Sequence, residues 1–381
     1  MSIKFSSFVA LFASMAIAAP AIWDGTADVS WYKPDAQKFT LMTAEELAGV
    51  AKLVNEGTTD FSGQTIALGA DIFLNDTAGA EAGTWASIPR TAWTPIGTSA
   101  KPFKGEFDGI AGKKNRKIYG LYINDTTQNY VGLFGYTSNV KISNLDVLVG
   151  RLTAKSYVGA LIGYASGGSV TNVHSEIKVT GVSYVGGLVG SSTGSLSSSS
   201  VKENVVGLDH VGGLVGATTS SISGTTKSNS YFIGNVTGGN YIGGIVGSGS
   251  VISNSFAEGS VKGSSYVGGI AGTATGDIGY AYHIDGNVNG TDYVGGLVGR
   301  ASSAVYNSYS EGNVSGTSDY VGGLIGYGES IGSSNHTKGD VNGQNYVGGL
   351  AGRVSSSVTD SYSEGDVTGQ GNYVGGLIGL S

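Results

Sequence analysis

Two kinds of side chain recur in this chain at spacings that matter chemically, carboxylates and aromatic rings. Asp285, Glu311, Asp340, Glu364 and Asp366 return in successive segments of similar length, beside Asn287 and Asn313. Carboxylates brought into register can act as acid and base on a glycosidic bond. They can also share Ca²⁺ through oxygen ligands. The plainer reading is a solvated face, in which Lys338 interrupts the acidic row and pairing contributes little.

The aromatic residues are more regular still. Tyr130, Tyr157, Tyr184, His210, Tyr241, Tyr266, Tyr293, Tyr320, Tyr346 and Tyr373 follow one another at 27, 27, 26, 31, 25, 27, 27, 26 and 27 residues. A second row, His174, Phe256, Tyr282, Tyr309 and Tyr362, falls four residues after a recurring apolar position, with Asn335 interrupting it. An exposed strip of rings offers a surface for stacking sugars. The same rows also serve as ladders that fill and register a stack, at ~0.5–1.5 kcal/mol per ring pair. One residue type at one place in every unit is what a stacked architecture alone requires.

Much other chemistry is excluded by composition. The 381 residues contain no Cys, which removes disulfides, thiolate metal sites and Cys nucleophiles. The four His (His174, His210, His283, His336) stand in no zinc-binding spacing. Glycine-rich stretches open no helix and so cradle no phosphate, and no cofactor is expected. With 21 basic and 28 acidic side chains the net charge is −7, which argues against nucleic acid as a partner.

The elements that position these rows follow from the remaining pattern. Residues 1–21 read as an export signal: Lys4, an apolar run from Phe8 to Ile17, and a small-x-small site at Ala16-Ile17-Ala18. No later run approaches the ~20 apolar residues of a membrane-spanning helix. All Pro and Trp lie before residue 103, whereas 54 of the 66 Gly lie after residue 129. Residues 22–125 are therefore expected to form a small α+β cap. Its one helix starts at Thr43-Ala44-Glu45-Glu46, a capping box, and ends at Gly57.

Residues 126–381 form ten repeats of about 27 residues, which predicts a solenoid. The repeats lack a 3.6-residue apolar period, so the solenoid is all-β. Each unit holds three short apolar segments, such as Tyr293 to Val298, Ala304 to Asn307 and Gly312 to Gly316. Three strands per turn, each stacked on its equivalent in the next turn, make a parallel β-helix. Pro is absent from the repeats because it would delete a ladder donor.

The recurring heptapeptide, as in Tyr293-Val294-Gly295-Gly296-Leu297-Val298-Gly299, resembles the GLUG motif of secreted and surface-attached bacterial proteins, including the stalks of immunoglobulin-A-cleaving peptidases. The resemblance covers residues 130–381. It implies a surface β-solenoid for adhesion or display, carries over no catalytic residue, and brings no counterpart of the peptidase domain. The expected function is non-enzymatic binding of a glycan or a surface protein. The alternatives are a polysaccharide-active β-helix using Glu311 or Asp366, and a passive stalk. The final strand at Leu380-Ser381 leaves an edge expected to pair with a further domain or chain.

Overall fold

The computed structural model describes residues 21–78, 90–111, 114–225 and 228–381. The export segment lies outside the described residues except for Ala21, as do Trp85, Pro89 and Lys113.

The repeats close into a parallel β-solenoid of about 12 turns with one helix near the N-terminus. Each turn pairs with the next in register. Val158, Val185, Val211, Ile242, Val267, Val294, Val321, Val347 and Val374 form one such row. The spacing between paired strands is ~4.8 Å, so a repeat of sequence becomes a repeat of position along the rod.

The turn differs in one respect from the three strands expected. The motif segment bends at Gly296-Leu297, so this turn runs through four strands: Asp292–Gly295, Val298–Tyr306, Tyr309–Ser310 and Val314–Gly316. The bend turns the corner leucine inward. Leu188, Leu214, Leu297, Leu324 and Leu350 are all fully buried, alongside the Val294, Val298, Val305 and Val314 of a typical turn. Burying such a side chain contributes ~1.5–3 kcal/mol per turn, and this explains the apolar four of the motif.

Strand pairing runs across residue 125. Lys38–Leu41 pairs with Thr65–Leu68, which pairs with Glu106–Asp108, which pairs with Lys141 to Ser143 of the first full motif turn. The helix Ala44–Glu56 is inserted between the first two of these strands. Thr43 and Glu46 make the expected capping box, and Gly57 ends the helix at φ 82°. Lys101 Nζ donates to the terminal carbonyls of Asn55 and Glu56 at 2.9 and 2.8 Å, where a cation suits the helix dipole. Leu47, Val50 and Val54 of the helix join the same core as Leu41, Ile66 and Phe107.

The one long repeat, 31 residues from His210 to Tyr241, keeps its place in the stack. After Ile222–Ser223, an isolated antiparallel bridge joins Thr225 and Ser228. Pairing then resumes with Ser230–Ile233 against Ser255 to Glu258.

Candidate functional site

The ten-membered aromatic row is a continuous stack. Its nine consecutive ring pairs, from Tyr130–Tyr157 to Tyr346–Tyr373, have centroids 4.5–4.9 Å apart and planes within 23° of parallel. Tyr157, Tyr184, Tyr241, Tyr266, Tyr293, Tyr320 and Tyr346 are half-buried, and Tyr373 is 52% exposed. Stacking covers both faces of every interior ring, so the strip presents phenol edges to solvent. A ligand along it meets hydroxyls and ring rims.

Every member of the row sits at φ between 51° and 60°. This left-handed conformation costs a non-glycine residue ~1–2 kcal/mol and is an outlier for a bulky side chain. Ten repetitions of the same strain mean that the stack and the adjoining buried valine hold it in place. The usual ranking of substitutions is therefore expected to invert here. Tyr266→Ala loses both ring contacts and keeps the strain, whereas Tyr266→Gly loses the contacts and relieves it. Urea unfolding should show the glycine variant more stable than the alanine variant by about 1 kcal/mol. Equal stability, or a more stable alanine variant, would contradict this.

A polar row runs beside the tyrosines. Asn345 Nδ2 donates to Asp319 Oδ1 at 2.9 Å, the Ser265 hydroxyl donates to Asp292, and His210 Nδ1 lies 2.7 Å from Asp209 Oδ2. On the other flank Tyr136 and Tyr164 stack on each other at 4.8 Å and meet the main row edge-on.

The second aromatic row differs from the sequence expectation in two members. Its register runs His174, Ser200, Tyr231, Phe256, Tyr282, Tyr309, His336, Tyr362. Tyr231 belongs to it, and His336, rather than Asn335, occupies the coil in question, stacked on Tyr309 at 4.8 Å and Tyr362 at 5.3 Å. The cause is one extra residue at that corner. Val305 pairs with Ile331 and Tyr309 with His336, so four steps in one turn match five in the next. Asn335 points inward and is fully buried.

The carboxylates occupy separate places. Asp340 Oδ1 accepts the Asp366 amide at 3.0 Å, continuing a ladder in which Asn204, Asn235, Asn287 and Asn313 each accept a backbone N–H from the next turn. Glu311 pairs with Lys338 at 2.9 Å, and Glu311 and Glu364 together hold the Lys338 ammonium above its usual pKa, Glu311 contributing most. Asp285 sits at a corner with φ 51°. Among the described residues, no group of three or more His, Asp or Glu stands together as a cation site.

Depressions on the described surface include the following three. A cleft of about 340 Å³ lies near the helix between Trp23 and Trp93. Both indole N–H groups there are already used, on Thr26 O at 2.7 Å and Leu133 O at 3.0 Å. A second, of about 290 Å³, brings Asp146, His174 and Ser200 into adjacent coils, with His174 Nδ1 at 2.6 Å from Ser200 Oγ. This trio escaped the sequence reading because Ser200 is one of four consecutive serines. Ser200 is only 2% exposed and Asp146 accepts from Asn115 at 2.9 Å, so the geometry is that of a structural hydrogen-bonded row. The third, of about 310 Å³, holds Arg300, Tyr327 and Glu329.

Titration follows burial. His283 is fully buried, with Nε2 at 3.0 Å from Gly259 O and Nδ1 without a partner, and burial pushes its pKa below 6.5. Burial also lowers His174 and His336. The unfolded chain then binds more protons below pH 6.5, so stability is full above that value and falls as pH drops beneath it. The urea midpoint should decline from about pH 7.5 to about pH 5. His283→Phe should flatten that decline, since Phe232 already fills an equivalent inward position. An unchanged slope in the variant would contradict the assignment.

Comparison with known proteins adds three findings. The GLUG motif is matched at residues 155–180, 290–315 and 343–368. A protein of Evansella cellulosilytica named "Putative Gly-rich membrane protein" is 38% identical over 89 residues, covering 22% of this chain and 10% of that protein. The chain thus matches about a tenth of that relative's length. A crystal structure from Bacteroides ovatus, described as a "putative immunoglobulin A1 protease", aligns over 88% of this chain and 85% of its own, with 17% identity and a TM-score of 0.38. Among the described residues, no helix is long and apolar enough to cross a membrane.

Proposed function

The chain is a β-solenoid carrying the GLUG motif, and from that premise we propose that it is an exported, non-enzymatic surface protein that binds glycans or surface proteins along its tyrosine strip. The observation that carries this reading is the unbroken stack of ten rings, whose hydroxyl edges line one edge of the rod beside a row of Asp, Asn and Ser. Such a strip offers repeated hydrogen-bonding groups at a fixed step of ~4.8 Å, which suits a polymeric or multivalent ligand.

Of the carboxylates named for a cleavage mechanism, Glu311 is paired with Lys338, and Asp366 joins the Asp340 ladder with its backbone N–H. A glycan array and a cell-binding assay on the full chain test the proposal. Binding is expected, and Tyr293→Phe with Tyr320→Phe should weaken it, because the stack survives while the hydroxyls are lost. Absence of binding to every glycan and surface would overturn the reading. So would a sugar-cleaving activity that Glu311→Gln or Asp366→Asn abolishes.

A further inference from the structure

Beside the tyrosine strip runs a row of outward residues, one per turn: Tyr136, Tyr164, Ser191, Ala217, Ser248, Thr273, Arg300, Tyr327 and Arg353. Four consecutive turns carry small neutral side chains there, and then the row changes character. Arg300 and Arg353 stand on opposite sides of Tyr327, with Cζ 5.7 and 5.6 Å from its ring centroid. Tyr327 in turn meets Tyr320 edge-on at 5.7 Å, which ties the group to the main strip.

Neither arginine takes part in any ion pair among the described residues. They are also the only arginines after residue 151, in a chain of net charge −7. Exposed arginine usually varies in position, whereas here each guanidinium is laid against the ring by a cation–π contact and so is already ordered. A guanidinium held in one plane offers a fork of donors that matches a carboxylate or sulfate bidentately, which an ammonium cannot. Arg300 and Tyr327 line a shallow depression together with Ser302, Ser355, Ser356 and one carboxylate, Glu329.

The spacing selects the ligand. The arginines are two turns apart, about twice the ~4.8 Å strand spacing. One turn of the solenoid is close to the step of one pyranose in an extended polysaccharide. Charges on every second turn therefore match acidic groups on every second sugar, with the phenol edge of Tyr327 facing the sugar between.

We propose that the Arg300–Tyr327–Arg353 ladder is a binding site for an anionic polysaccharide bearing one carboxylate or sulfate on alternate sugars, lying along the rod axis. This rests on the glycan-binding reading above and names its ligand class. Titration of the full chain with hyaluronan oligosaccharides (alternating carboxylate), keratan sulfate oligosaccharides (sulfate, no carboxylate), polygalacturonate (a carboxylate on every sugar) and neutral dextran tests it. The first or the second should bind at least about ten-fold more tightly than dextran and more tightly than polygalacturonate, with affinity falling as salt rises. Which of the two binds identifies the acid.

Arg300→Gln with Arg353→Gln should abolish that preference while leaving the urea midpoint unchanged. Arg300→Lys with Arg353→Lys, which keeps the charge but loses the fork, should fall between. An unaltered affinity in either double variant, or equal binding of polygalacturonate, would overturn the assignment. Should the glutamine variant fail to fold, the lysine pair still decides it. Binding of neutral glycans alone would remove this inference and leave the tyrosine-strip reading standing, whereas no binding of any kind would remove both.

Discussion

Gly296→Ala is expected to unfold the rod, while Gly376→Ala, at the same motif position three turns away, is expected to be silent. Neither glycine has a left-handed φ, so alanine suits the local backbone of both. The difference lies in what covers them. A Cβ on Gly296 would lie 2.1 Å from the carbonyl oxygen of Gly323 in the next turn and 2.5 Å from Ser310 Oγ. The nearer atom is backbone fixed in its own ladder, so the turns must separate. Separation exposes the corner leucines on both sides and breaks in-register hydrogen bonds, a loss beyond the ~4–5 kcal/mol that marks an exceptional substitution. At Gly376 a Cβ meets nothing within 4 Å among the described residues. Thermal unfolding of the two variants beside the parent checks this. Similar midpoints for both would mean that close approach between turns does not explain the glycine.

Asn335→Ala should cost on the order of 1–3 kcal/mol, the penalty of one buried donor left without an acceptor. Asn335 is fully buried and makes three bonds at this corner. Its Oδ1 accepts the Ser308 amide at 3.0 Å, and its Nδ2 donates to Val305 O at 3.0 Å and Gly332 O at 2.7 Å. Val305 O also accepts the Gly332 amide at 2.8 Å and Gly332 O the Ser361 hydroxyl at 2.9 Å, so the Ser308 amide is the group left unsatisfied, at ~1–3 kcal/mol. In neighbouring turns the same position is serine. Ser308 Oγ donates to Tyr306 O at 2.8 Å and accepts the Ala281 amide at 3.1 Å, while Ser361 Oγ donates to Thr359 O and accepts the Asn335 amide. The turn holding Asn335 has one residue more at this corner, so a longer side chain is needed to span the same gap. Asn335→Ser should therefore be intermediate. Urea unfolding gives the order parent, serine, alanine; an alanine variant as stable as the parent would contradict it.

These two residues also show how far the sequence is legible. The motif spacing alone places ten tyrosine-row residues in one column, and the structure stacks all of them, because a solenoid converts a period in sequence into adjacency in space. The GLUG resemblance and the all-β class follow from the same period. Reading is lost where a turn changes length without disturbing the motif. One added residue moves His336 into the aromatic row and Asn335 into the core, and the longer 31-residue repeat hides Tyr231. Nothing in the residue types marks either insertion, since Ser, Asn and Gly fill corners and loops alike.

The division at residue 125 shows a different limit. Before it the interior is filled by bulkier rings, among them Phe61, Phe103 and Phe107, and Phe134 continues them just beyond. Pairing nevertheless passes through, from Glu106–Asp108 to Lys141 to Ser143. The carboxylates illustrate the reverse case. Their recurrence is visible in sequence, but only register shows that Asp340 supports the next turn's backbone and that Lys338 lies between Glu311 and Glu364.

Everything above depends on turns stacked in register one repeat apart, and the absence of native cysteine allows that to be measured cleanly. Ser248 and Thr273 are partners in adjacent turns, with their hydroxyls 2.9 Å apart. Ser248 and Arg300 lie in the same row but two turns apart. A disulfide needs Cα atoms within about 7 Å, which one strand spacing satisfies and two, at ~9.6 Å, do not. Under mild oxidation, Ser248→Cys with Thr273→Cys should form an intramolecular disulfide, and Ser248→Cys with Arg300→Cys should remain reduced. A bridge in the second pair, or none in the first, would contradict the stack on which the account rests.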